Sequence, residues 1–369
     1  MVGLIIFRLS KQVILEYYKQ IDSFRFFAAF AVAVSHWLHF VPVVEDLKLG
    51  YIGVDFFFVI SGFLISYQLI DLNKSVAAGR VGVGKGITNF IIRRGLRIFP
   101  LYYFVLLLAT LFNDGTIRDA LIYNITYTSN FYFIKAGHWD SIFSHFWSLS
   151  VEEHFYLCWP ILLLFIKGNR ISRAIFGIAL FSVFFRWYAY TESYAYFWVH
   201  IHTLSCLDLF MYGSALAYFL NTYKDKFYAF FRHKYVRGFV LSGLGISYLL
   251  FMNLSSESAY VWVYFRMVFG IFCAGLVGLL VLGFTGNAKR VFEHPWLIKG
   301  GKISYAIYLL HNFIPGLLLG IKQLELPLAL NFIIYFVVTV LLSLLLNRII
   351  EKPIRKLGQR FSINFNEST

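Results

Sequence analysis

Histidines, arginines, acids and hydroxyls set inside apolar stretches mark where this chain could do chemistry. Ionisable groups are costly in an apolar helix and by default point to function there. Arg25 and His36 share one such stretch, eleven residues apart. That spacing lies roughly 20° past three helical turns, so both face one way, about 16 Å apart along the axis. An imidazole suits general acid–base work near neutral pH. The plainer readings are a snorkelling arginine and a histidine hydrogen-bonded between helices. Arg93, Arg94 and Arg97 precede Pro100 and would form one cationic patch on a helix. Guanidinium forks suit phosphate, and coenzyme A carries several. Ordinary basic flanking of a membrane span would look the same.

The densest cluster is His145, Ser148, Ser150, Glu152, Glu153 and His154, at the head of an apolar run. Ser148 and Glu152 are one helical turn apart and share a face, which favours Glu152 over Glu153 as its partner. Capping accounts for one serine and one acid. It does not account for both acids and both histidines together. Asp55 heads another apolar run, as a cap or as the charge partner of a membrane arginine. Tyr305, Tyr308 and His311 recur at helical spacing, as a polar lining or as aromatic packing. Arg186 and Arg266 lie within apolar runs and need partners or a wet cavity.

The elements that must position these groups are membrane helices. The 369 residues are 59% apolar and only 14% charged, well below the charged share of soluble domains. Apolar runs long enough to span recur along the chain. They predict an all-α integral membrane bundle of about ten spans, near 21–41, 51–72, 96–113, 147–166, 174–191, 200–221, 238–252, 260–284, 303–320 and 329–349. The half-apolar segment 114–146 leaves room for an eleventh. Of the 33 Lys and Arg residues, 26 fall on one side of this topology, 4 on the other and 3 within spans. Both termini are therefore expected in the cytoplasm. The same count explains the net charge of +14 without nucleic acid.

The expected organisation is a single transmembrane domain over 1–369, with cytoplasmic tails at 1–20 and 350–369. The N-terminal segment does not read as a cleavable signal, because Arg8, Lys11, Glu16 and Lys19 interrupt it. Cys158, Cys206 and Cys273 lack the spacing of a disulfide framework or zinc site, and no metal is expected.

Six segments, taken in order, resemble the membrane acyltransferases called acyltransferase family 3. Arg25 and His36 are similar to the family's first-helix pair. Gly53-Val-Asp55-Phe-Phe-Phe through Ser61-Gly62 is similar to its second-helix signature, and Arg93-Arg94-Gly-Leu-Arg97 before Pro100 to its arginine motif. Trp147-Ser148-Leu-Ser150-Val-Glu152-Glu153-His154 resembles its longest signature, with His154 where the family often has glutamine. Ser304-Tyr305 through Tyr308 and His311 resembles a late-helix element, and Glu351-Lys-Pro353 the end of the last helix.

The resemblance implies a ten- or eleven-helix fold of the stand-alone kind in the bacterial inner membrane. It implies transfer of an acyl group, usually acetyl, to an extracytoplasmic glycan such as lipopolysaccharide or exopolysaccharide. Acetyl-CoA is the expected donor, bound by Arg25, Arg93, Arg94 and Arg97. His36 is expected as general base, with Glu152 orienting its imidazolium and Ser148 meeting the acyl oxygen or the acceptor. Glu153 is the other acid in the catalytic set, while Asp55, His145, Tyr305 and His311 support it. The expected partners are membrane lipids, the donor and the glycan. A polytopic exporter of an envelope glycan is the rival reading, using the same groups as a relay.

Overall fold

The computed structural model describes residues 17–112, 115–139, 142–166, 168–254, 258–319 and 327–358. Helices, and no strands, make up the described residues. The long ones are α1 (Lys19–Trp37), α2 (Leu49–Ala77), α3 (Val83–Phe112), α4 (Phe146–Phe165), α5 (Arg170–Thr191), α6 (Thr203–Thr222), α7 (Lys234–Asn253) and α8 (Phe265–Leu282). A broken pair follows, α9 (Ser304–Leu310) and α10 (Phe313–Leu319), and then α11 (Leu328–Leu346).

Seven of these are long and apolar enough to cross a membrane: α2, α3, α5, α6, α7, α8 and α11. Three of the expected spans fall outside that set for two physical reasons. α1 and α4 are long enough but carry the polar groups, Gln20, Asp22, Ser23 and Arg25 in one and Ser148 through His154 in the other. The third, 303–320, is interrupted at His311–Asn312. The described part of 114–146 forms only short helices, Gly115–Asp119, Leu121–Ile125 and Ser129–Ala136, so it holds no further long span. Much of both expected tails, 1–16 and 359–369, lies outside the described residues. The described part of the second is helical. α11 continues through a π-helical turn, Asn347–Glu351, into Lys352–Gly358, which packs on α3.

α2 is the axis of the bundle, packed against α1, α4, α6 and α8. Its closest neighbour is α6, and glycine makes that approach possible. A Cβ on Gly62 would lie 2.1 Å from the Phe210 carbonyl oxygen, and one on Gly213 2.1 Å from that of Val59. Small residues at a helix crossing in lipid let backbones meet in this way. Beside the crossing, Ser66 Oγ donates to Ser214 Oγ at 2.7 Å, and Trp159 Nε1 of α4 donates to Ser66 Oγ at 2.7 Å. α11 rims the bundle, with 11% of its apolar window buried against 67% for α6.

Two ion pairs sit in the interior. Arg266 on α8 bonds Asp55 on α2 at 3.1 Å, which fixes Asp55 as the partner of a membrane arginine. Arg186 on α5 grips Asp208 on α6 through two nitrogens, at 2.8 and 2.7 Å. Nothing in the spacing of the sequence had paired Asp208 with an arginine.

Candidate active site

A cleft with about 810 Å³ of empty space runs between α1, α2, α3, α4 and α9. Arg25, Arg94 and Arg97 line it together, as do Ser61, Ser148, Glu152, Tyr156, Tyr305 and Tyr308. One face of α4 supplies its spine. Ser148, Glu152 and Tyr156 are spaced by four, one above another over about 12 Å. Each rung has its own partner. Ser148 Oγ donates to the His145 carbonyl at 3.0 Å and lies 2.5 Å from Tyr308 Oη. Glu152 Oε1 accepts from Ser61 Oγ at 2.7 Å. Tyr156 Oη donates to the same Ser61 Oγ at 3.0 Å, and the Arg94 guanidinium lies 3.9 Å above the Tyr156 ring. Arg94 Nε is buried without a hydrogen-bond partner. Arg25 has only a loose contact with Asp22, at 3.5 Å.

The cleft is thus cationic at one end and hydroxyl-lined at the other. Beyond the Ser148 end lie three imidazoles. His36 is 5.0 Å from His311 and 6.4 Å from His145, centroid to centroid, and His145 is 4.8 Å from His311. The break after α9 is what gathers them. A helix that stops leaves its last carbonyls unpaired, which is costly away from water. Here the Tyr308 carbonyl accepts from His311 Nδ1 at 2.6 Å, and that of Leu309 from His145 Nε2 at 3.1 Å. Trp37 Nε1, next to His36, donates to the His311 carbonyl at 2.8 Å. Asn312 Nδ2 donates to the Ile142 carbonyl at 3.0 Å and so ties the start of α4 to the same break.

Arg25, Arg94, Arg97, Ser148, Glu152 and Tyr305 line the cleft, and His36, His145 and His311 gather beyond it. Arg93 is exposed and does not line the cleft: on α3 it lies about 100° round from Arg94, with Arg97 between them. Glu152 is bonded to Ser61 and faces the arginine side, so it does not orient His36. Glu153, one residue on, is buried outside the lining. His154 also faces elsewhere, with Nδ1 2.8 Å from Thr203 Oγ1. Asp55 serves its ion pair away from the cleft. Tyr305 lines the cleft and donates to the Ile98 carbonyl at 3.0 Å. Ser61 and Tyr156 are cleft residues that had not been singled out. The four-residue step from Glu152 to Tyr156 was the available signal for one of them.

A family model described as an acyltransferase domain matches residues 18–348. Among similar proteins, one named "putative O-acetyltransferase" from Staphylococcus aureus is 28% identical over 320 residues, 80% of this chain and 50% of that protein. A peptidoglycan O-acetyltransferase of Listeria monocytogenes is 26% identical over 373 residues, 93% of this chain and 56% of that protein. A "putative peptidoglycan O-acetyltransferase" of Bacillus subtilis is 33% identical over 162 residues, 40% of this chain and 24% of that protein. The chain spans about half the length of the first two relatives or less of the third. No solved structure matches it significantly.

Proposed function

The chain belongs to the acyltransferase family whose domain it matches over residues 18–348, and from that premise we propose that it moves an acetyl group from acetyl-CoA to a glycan hydroxyl across the bacterial cytoplasmic membrane. The observation that carries this reading is a cleft with arginines at one end and the Ser148–Tyr308 hydroxyls at the other, where His145 and His311 adjoin Tyr308 and His36 adjoins His311. The lysine and arginine distribution supports a topology of ten spans with both termini in the cytoplasm. That orientation puts Arg25, Arg94 and Arg97 on the cytoplasmic side and His36 on the outer side.

The donor's phosphates are held by Arg94, Arg97 and Arg25, and its thiol arm follows the spine of α4 toward Ser148. The unpaired Arg94 Nε supports this, because a buried N–H without an acceptor is unfavourable until an anion arrives. At the far end the acceptor oxygen attacks the thioester carbonyl. Its proton passes to His36, the new C–O bond forms, and the C–S bond breaks. The thiolate leaves and takes that proton from His36, which restores the neutral base. Ser148 and Tyr308 steady the carbonyl oxygen as negative charge gathers on it. Glu152 holds Ser61 between the two ends and offsets the arginine charge. The acceptor is an extracytoplasmic glycan. The names of the Listeria and Bacillus relatives make peptidoglycan the first to test, with lipopolysaccharide and exopolysaccharide after it.

Mass spectrometry of envelope glycans from wild-type, deletion and His36→Ala strains tests the reading. Loss of one acetyl mass in both mutants, with the glycan backbone intact, is the expected result. A missing backbone would instead favour the export reading, and an unchanged acetyl pattern would end the acetyltransferase one.

A further inference from the structure

We infer that His311, rather than an acidic residue, is the positioning partner of His36. The inference rests on the proposed acyl transfer with His36 as base. A histidine base works when its second nitrogen is held by a hydrogen bond that fixes its tautomer. The acid expected in that place, Glu152, is engaged by Ser61. Something else must hold the ring.

The break after α9 decides which group is able to. His311 Nδ1 and His145 Nε2 both lie against backbone carbonyls. A carbonyl only accepts, so both nitrogens carry their protons there. The other nitrogens, His311 Nε2 and His145 Nδ1, are therefore lone-pair acceptors. Both are buried without a hydrogen-bond partner, in rings that are 0% and 1% exposed. Two lone pairs cannot bond each other, although the rings are only 4.8 Å apart. A buried acceptor left unmet is costly, so the pair calls for a nearby N–H donor. His36 is that donor. Its ring stands 5.0 Å from His311 and 6.4 Å from His145. About 5 Å between centroids is the separation that an N–H···N hydrogen bond of about 2.9 Å requires. Nε2 is also the end of the His311 ring furthest from its own backbone.

The pairing accounts for the proton throughout. His36 gives its N–H to His311 Nε2 in a hydrogen bond, and its other nitrogen keeps the lone pair that receives the hydroxyl proton. When that proton arrives, His36 becomes an imidazolium and the N–H···N bond strengthens without a proton leaving the pair. His311 touches no substrate; it acts through His36.

The test compares His311→Phe, His311→Gln, His145→Phe, His36→Ala and the double variant His36→Ala/His311→Phe. Membranes carrying equal amounts of each are supplied with radiolabelled acetyl-CoA and isolated cell-envelope glycan, and the initial rate of label transfer is read. His311→Phe keeps a ring but has no acceptor nitrogen, and lowers the rate about 100-fold, within the range for losing acid–base assistance. His311→Gln places an amide oxygen near the position of Nε2 and keeps roughly a tenth of the wild-type rate or more. The double variant is no slower than His36→Ala alone, because the two residues act as one unit. Full activity in His311→Phe, a His311→Gln variant as slow as His311→Phe, a further loss in the double variant, or a loss confined to His145→Phe would each overturn the pairing. Normal transfer by His36→Ala would instead overturn the acyl-transfer reading itself.

Discussion

Arg93 and Arg94 are neighbours in sequence but have unlike surroundings. Arg94 lies over the Tyr156 ring with a buried, unpaired nitrogen, whereas Arg93 is exposed and outside the cleft lining. A mere band of basic flanking residues would treat them alike. A phosphate-binding cleft does not. Arg94→Ala is expected to raise the acetyl-CoA concentration needed for half-maximal transfer by about tenfold or more, in line with a charged hydrogen bond of roughly 1.5–3 kcal/mol. Arg93→Ala is expected to change it less than about twofold, as a solvated charge does. Steady-state rates in membrane vesicles distinguish the two. Equal effects would return Arg94 to the flanking band.

At the scale of elements, the crossing of α2 and α6 is the most sensitive joint. Ser61, which holds Glu152, adjoins Gly62, whose missing side chain lets the two backbones meet. Gly213→Ala places a methyl group 2.1 Å from the Val59 carbonyl oxygen, a backbone atom that has no free rotation to move aside. Separating the helices is expected to cost about 1–3 kcal/mol, visible as a lower midpoint of thermal unfolding in detergent. A midpoint equal to that of the wild type would mean that the crossing yields more easily than its geometry implies.

This joint also marks how far the sequence could be read. Periodicity and hydropathy located the long apolar helices, because a segment in lipid must be apolar nearly all round. The same reading placed α1 and α4, although their polar residues keep both from qualifying as fully apolar spans. It failed at 303–320, which was read as one span and is broken at His311–Asn312. Pro315, four residues after His311, removes the N–H that would have met the His311 carbonyl, and so was the available signal. The break is sustained by side chains from α1 and α4, over 100 residues away in sequence, that satisfy its carbonyls. Likewise the i, i+4 step joined Ser148 to Glu152 correctly. Glu152 is hydrogen-bonded to Ser61 on α2, a pairing not legible in the sequence, because spacing along one helix says nothing of which neighbouring helix supplies the nearer hydroxyl.

Taken whole, the molecule keeps its cleft cations together and its three imidazoles apart from them, beyond the Tyr308 end of the cleft. On the proposed reading, the anionic part of the donor never leaves the arginine end, and what reaches the histidine end is an uncharged acetyl carbonyl. The proton taken from the acceptor passes through His36 to the departing thiolate. No net charge then crosses the membrane with the group, so the membrane voltage does no work on the transfer. Were one elementary charge carried over, a change of about 100 mV would shift the energetics by about 2.3 kcal/mol, roughly fiftyfold in rate at most. Vesicles clamped at different potentials by potassium and valinomycin are expected to label glycan at the same rate when acetyl-CoA is held constant. A voltage-dependent rate would mean that a charged species makes the passage. On that reading, the protein decorates the outside of a cell at the expense of its thioester pool alone, and it continues in a cell whose membrane has lost its polarisation.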